Sequence, residues 1–149
     1  MYLVYLIKQI IMHSILKNIL AILLGFIIGS IVNMLVINMG HSIFPIAGID
    51  INNLEVLSKI MPTLDFNYFI FPFLAHALGT LVGAFVAYSI SDINKTTSAL
   101  AIGIIFLLGG ITANYLITGP IWFTITDLLL AYIPMAWIGK KIAQSVSKK

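Results

Sequence analysis

Four long apolar blocks divide this chain, at residues 19–39, 67–90, 98–117 and 121–138. A helix needs about 20 such residues to cross a hydrocarbon layer roughly 30 Å thick. The first three blocks carry almost no polar stripe at helical spacing, which the surface helices of a soluble bundle would need. The alternation of a barrel strand is absent as well. Lipid offers backbone N–H and C=O groups no partners, so the crossings must be helical. The pattern therefore predicts an all-α integral membrane four-helix bundle in a single domain.

The intervening stretches refine this picture. Between the first two spans, Leu54, Leu57, Ile60 and Met61 recur at helical spacing and Pro62 follows them. Asn52 with Glu55 resembles a capping box. The spacing predicts a short amphipathic helix over 53–61, lying on the outer membrane face as a hydrophobic lid or as a gate over a cavity. Pro72 falls in the first turns of the second span. Pro134 lies inside the fourth, where it removes a hydrogen bond and kinks the helix. Thr118, Gly119 and Pro120 make one tight turn, and residues 91–97 make another.

Composition agrees with the blocks. Of 149 residues, 60% are apolar and 9% charged, and the mean hydropathy is +1.08. A soluble domain carries roughly 25% charged residues. Soluble-enzyme, disordered and nucleic-acid-binding classes are excluded on this ground. The absence of cysteine removes disulfides, thiolate metal sites and a Cys nucleophile.

Charge sets an expected orientation. Both tails and the second loop carry Lys8, Lys17, Lys95, Lys140, Lys141, Lys148 and Lys149, against Lys59 alone on the other side. Positive residues stay inside, so both termini are expected in the cytoplasm, with 139–149 as a basic tail. Residues 1–17 form a cytoplasmic N-terminal stretch. Lys8 and Lys17 interrupt its apolar run and no small-residue cleavage site precedes Asn18, against a signal peptide. It reads as an amphipathic helix on the inner face, or as an extension upstream of a start at Met12.

Small residues recur every four positions in two spans: Ala21, Gly25, Gly29 and Asn33 in the first, and Ala75, Gly79, Gly83 and Ala87 in the second. Such ridges let helix backbones approach closely. Gly25, Gly29, Gly79 and Gly83 are the expected packing residues, either between these two spans or across a homo-oligomer contact.

Candidate chemistry lies in the polar residues within the spans. Asp127 is the only acid in a span, about six residues or roughly 9 Å from its outer end at ~1.5 Å per residue. An ionised Asp near a helix centre costs roughly 2.5–3.5 kcal/mol on insertion scales, so it is expected to face the bundle interior and a partner. His76 in the second span, Asn33 in the first and Asn114 in the third fall at comparable depth, with His41 just beyond the first span. All lie in the outer half. The set supports a hydrogen-bond network that fixes helix register, or a site binding a small solute, ion or proton, with Asp127, His76, Asn33 and Asn114 as ligand-binding or proton-titrating candidates. His76, Asp127 and His41 are weak candidate metal ligands, unsupported by any paired motif. No GxSxG or other nucleophile elbow occurs. The sequence leans against an enzyme without deciding it; no cofactor is expected, and the lipid bilayer is the expected partner.

Three stretches resemble a family of small four-span bacterial membrane proteins whose activity is not assigned. They are FIFPFLAHALGTLVGA at 69–84, the GxxxGSxVNM pattern at 25–34, and WFTITDLLLAYIPMAWIGKK at 122–141. The resemblance covers about 18–141. It implies a four-helix protein of the bacterial inner membrane, with Asn33, His76 and Asp127 as characteristic residues of no stated role. Small multidrug exporters fit less well, because they rely on a glutamate in a first span that here has no acid. Fluoride channels share only size and Gly/Asn content.

Overall fold

A computed structural model of the chain describes residues 2–46 and 53–147. Its elements are α1 (Tyr2–Ile43), α2 (Leu54–Ile60) with a 3-10 turn at Met61–Thr63, α3 (Asn67–Ile90), α4 (Lys95–Leu116), α5 (Ile121–Leu130) and α6 (Ile133–Val146). No strand occurs among the described residues. The fold is an all-α four-helix bundle. Its four long apolar stretches are Ile11–Ile43, Asn67–Ile90, Lys95–Leu116 and Ile121–Val146, each long enough to cross a membrane. At ~1.5 Å per residue, even the 22 residues of α4 reach roughly 33 Å.

The distribution of side chains is that of a multi-pass membrane protein. Alanines predominate in the buried interior, including Ala21, Ala75, Ala84, Ala87, Ala99 and Ala136, beside Phe69, Ile102, Phe123 and Tyr132. Large apolar side chains such as Leu20, Leu23, Ile27, Ile31 and Leu35 point outward from α1. Lipid tails solvate leucine as well as a core would, so close backbone packing rather than apolar burial holds the helices together.

Helix α3 is central, packed on α1, α4, α5 and α6. On its α1 side the two glycine ridges face each other. A Cβ at Gly29 would lie 2.6 Å from the Gly79 carbonyl oxygen, and one at Gly83 would lie 2.7 Å from that of Gly25. On another face, Gly139 of α6 sits against the Leu81 carbonyl with no room for a Cβ. These glycines are required by close approach. Gly109, with open space beside it, is not.

Three local features differ from the sequence expectations. The fourth span is broken rather than kinked. Helix α5 ends at Ala131, Tyr132 leaves helical geometry with φ −116 and ψ −82, and Pro134 occupies the first turn of α6. Pro at that position gives up an N–H that has no helical partner anyway, so a helix restart suits it better than a bend. Non-helical backbone at membrane depth must be shielded by protein, and Ala131 and Tyr132 are buried. Next, residues 2–17 continue the helix of the first span without interruption. Finally, α2 is capped by Asn53, whose Oδ1 accepts the Val56 N–H at 3.1 Å. Asn52 lies outside the described residues. Pro62 opens the 3-10 turn that extends α2.

Helix termini and loops divide the molecule into a lid side, carrying α2, and an opposite side, carrying the turn at 91–94. On the opposite side Asn18 clamps that turn. Its Oδ1 accepts the Asp92 N–H at 2.9 Å, and its Nδ2 donates to the Ile93 carbonyl. Beside it, Ser14 Oγ donates to Asp92 Oδ2 at 2.7 Å and Lys17 Nζ reaches Oδ1 at 3.2 Å. The Ser14 hydroxyl first, then Lys17, holds the Asp92 carboxyl below the ordinary Asp range.

Candidate functional site

The break in the fourth span builds the polar centre. Asp127 stands one turn before it on α5, is wholly buried, and faces α3. His76 Nδ1 lies 2.8 Å from Asp127 Oδ1. Tyr132, at the break, donates its hydroxyl to Asp127 Oδ2 at 2.9 Å, and that hydroxyl oxygen lies 2.9 Å from His76 Nδ1. Each carboxylate oxygen therefore has one protein neighbour of its own. Thr80 Oγ1 donates to the His76 carbonyl at 2.7 Å, one turn further along α3.

Glycines on α4 make space for this centre. A Cβ at Gly110 would collide with the Tyr132 hydroxyl, and one at Gly103 would lie 2.8 Å from the Ala136 Cβ. Among the described residues, Asp127 pairs with His76 and with no Lys or Arg. The other ion pairs are Lys17–Asp92 and Lys59–Glu55. The buried carboxylate thus has an imidazole and a phenol as polar company.

The imidazole is only partly enclosed, its side chain being 20% exposed. Its ring borders two spaces. One is a cavity of about 240 Å³ beneath α2, walled by Phe44, Tyr68, Phe71, His76, Asn114 and Phe123 among others. Leu57, Met61 and Leu64 form its lid-side wall. No residue of α2 is buried, so the lid covers the cavity without being sunk into the bundle. The second space is a cleft of about 290 Å³ between α1 and α4, lined by Ser30, Asn33, His76, Gly109 and Tyr132. Nδ1 of His76 is held by Asp127 and Tyr132, while Nε2 has no protein partner among the described residues.

Of the residues singled out in the sequence, His76 and Asp127 meet directly. Asn114 joins the wall of the lidded cavity. Its Nδ2 donates to the Gly110 carbonyl at 3.0 Å and its Oδ1 accepts the Thr124 hydroxyl at 2.8 Å. Asn33 sits against Gly79 at the α1–α3 seam and lines the cleft rather than the lidded cavity. His41 lines the lidded cavity. Among the described residues, no three His, Asp or Glu side chains gather as a metal-binding group. Thr112 and Thr126 bond to carbonyls of their own helices. Tyr132 escaped the sequence reading. It lies five residues after Asp127, about 140° around an unbroken helix, and reaches the carboxylate because the helix stops between them.

Aromatic residues seal the lid-side end. Trp122 stacks on Phe66 with ring centroids 5.3 Å apart and meets Phe69 edge-on at 5.4 Å. Phe69 packs on Phe123 at 4.8 Å. These contacts tie the start of α5 to the start of α3, and so fix Asp127 relative to His76.

Comparison with protein-family models, with curated proteins and with solved structures finds no match.

Proposed function

We propose that this protein binds, and passes across the membrane, a small polar solute or ion, using the lidded cavity beside His76. One observation carries the reading: an imidazole anchored through one nitrogen by a fully buried carboxylate borders a covered cavity with its other nitrogen unpaired. Polar groups at membrane depth are costly, and where they line a cavity they mark solute and ion pathways. A broken helix at mid-depth fits the same reading, because discontinuous spans commonly supply the binding sites of transporters. The chain resides in the bacterial cytoplasmic membrane with both termini inside, following the lysine distribution and the family resemblance. The lid then faces out.

A second reading has its own support. The Asp127–His76–Tyr132 contacts and the Asn114–Thr124 bond join different helices, as they would in a non-catalytic assembly subunit whose polar network only fixes helix packing.

The cysteine-free sequence separates the two. Ile117 lines the lidded cavity, so Ile117→Cys places a single thiol there. In oriented vesicles, a membrane-impermeant maleimide is expected to label it from the lid side, and a panel of small solutes is expected to slow labelling. Asp127→Asn should stay folded in detergent and lose that protection. A thiol inert from both sides, with no Asp127-dependent solute signal in proteoliposomes, would favour the assembly subunit. A reporter fused after Lys149 tests orientation; activity outside would reverse it.

A further inference from the structure

We infer that the occupant of the lidded cavity is a small organic cation carrying an N–H, a protonated amine, and that it competes with a proton for the same site. The inference rests on the solute-binding reading above and names its substrate class.

The argument is one of charge balance. Asp127 is wholly buried, and among the described residues its only ionisable neighbours are His76 and Tyr132. With the imidazole neutral and the phenol protonated, the centre carries one negative charge at membrane depth. A lone charge there is expensive, and the usual remedy is a partner. Among the described residues, none with a fixed positive charge is paired with it. Lys59, the lysine of the lid, is engaged with Glu55 at 2.7 Å. The compensating charge is therefore mobile, either a proton on the Asp127–His76 pair or a cation in the cavity.

Hydrogen-bonding geometry leads to the same class. When the imidazole is neutral, its N–H is at Nδ1, donated to Asp127 Oδ1, and Nε2 is left as an acceptor. An acceptor beside a net negative charge takes an N–H⁺ donor. When His76 is protonated, Nε2 becomes a donor, the centre is neutral, and neither the acceptor nor the charge remains to hold an ammonium. The cavity wall suits the rest of such a molecule. Phe44 lies between Tyr68 and Phe71, with ring centroids 6.0 and 6.1 Å away, and aromatic faces attract organic cations.

Other groups around the cavity do not upset the balance. Helix α1 contributes His41, which raises the positive charge of the wall only when protonated. Helix α3 contributes Tyr68 in addition to His76, α4 contributes the non-titrating Asn114, and the lid contributes the apolar Leu57 and Met61. The exchange is one proton for one amine, with no covalent step.

The test uses the full chain in lipid nanodiscs and three probes of equal size: propylammonium, 1-propanol and propionate. Calorimetry in two buffers of different ionisation enthalpy counts protons released by the wild-type protein. Propylammonium is expected to bind with release of up to one proton, and to weaken about tenfold per pH unit once the site is protonated. His76→Gln should weaken propylammonium binding and flatten its pH dependence, and Asp127→Asn should lose binding. The wild-type proton count stands even if a variant fails to fold. Binding of propionate or propanol with equal or greater affinity would overturn the cation assignment and leave the solute site intact. Propylammonium binding without proton release would overturn the competition. If none of the three binds, this inference falls. The solute-binding reading falls with it only when the Ile117→Cys labelling is also blank.

Discussion

The two faces of α3 hold their neighbours by opposite means. Toward α1 the contact is a seam of glycine and alanine, with backbones touching and no room for another carbon. Toward α5 and the break at Tyr132 the contact runs through side chains: a carboxylate, an imidazole and a phenol, with cavities beside them. The first face gains its energy from dispersion over close backbone atoms, which is continuous and tolerates no insertion. The second is held by a few directional bonds, each modest in a membrane, and leaves space that a ligand can use. Rigidity on one side and room on the other are built from the same helix.

Making the same substitution at two glycines is expected to break the comparison most clearly. Gly83→Ala puts a Cβ 2.7 Å from the Gly25 carbonyl oxygen and 3.1 Å from Ile102, and overpacking of this kind costs about 1–3 kcal/mol. Gly109→Ala meets nothing within 4 Å and should shift stability by no more than about 0.5 kcal/mol. Reversible unfolding in mixed micelles measures both; equal losses would remove the special status of the seam.

The next effect lies at the far end of that seam. Asn18→Ala removes the acceptor for the Asp92 and Ile93 amides and is expected to cost about 1 kcal/mol. Amide exchange at residues 92 and 93 should accelerate. The same turn is acid-sensitive in a defined direction. Because the folded Asp92 carboxyl is held low by Ser14 and Lys17, its contribution is complete above the usual Asp value of about 3.9. It is lost as pH falls through the lower folded value. Exchange at the turn should therefore rise only under strong acid, and Asp92→Asn should abolish that rise.

The smallest expected change is at the polar face. Tyr132→Phe deletes one bond to Asp127, and intramembrane hydrogen bonds average about 0.6 kcal/mol. Stability should barely move, whereas solute binding beside His76 should change measurably. A large loss of stability with unchanged binding would make the triad a structural clamp and sharpen the contrast in the other direction.

The spans, the seam residues and the pairing of His76 with Asp127 could be read from the sequence for a common reason. Each is a departure from a uniform background, whether a charge in an apolar run or a glycine repeated every fourth position. Tyr132 does not depart from the background, since tyrosine is ordinary in membrane helices and its register on a continuous helix points away from Asp127. Its role depends on a break that Pro134 permits but does not dictate, because proline tolerates a kink as readily as a restart. The Asn18 clamp was hidden in the same way. Asn18 sits where an apolar run begins, and its partners lie 74 and 75 residues away. The lid was legible in the spacing of Leu54, Leu57, Ile60 and Met61, whereas the walls of the cavity beneath it come from several helices together.

The interruption at Ala131 and Tyr132 also bears on biosynthesis. Helix α5 has 10 residues and α6 has 14, and each alone falls short of the about 20 needed to cross the bilayer. Neither half can be threaded into lipid by itself. The two pieces together, Ile121–Val146, make one apolar crossing, with Tyr132 seated over Gly110. The centre is complete only when α3, α4 and both halves of the last crossing are in place together.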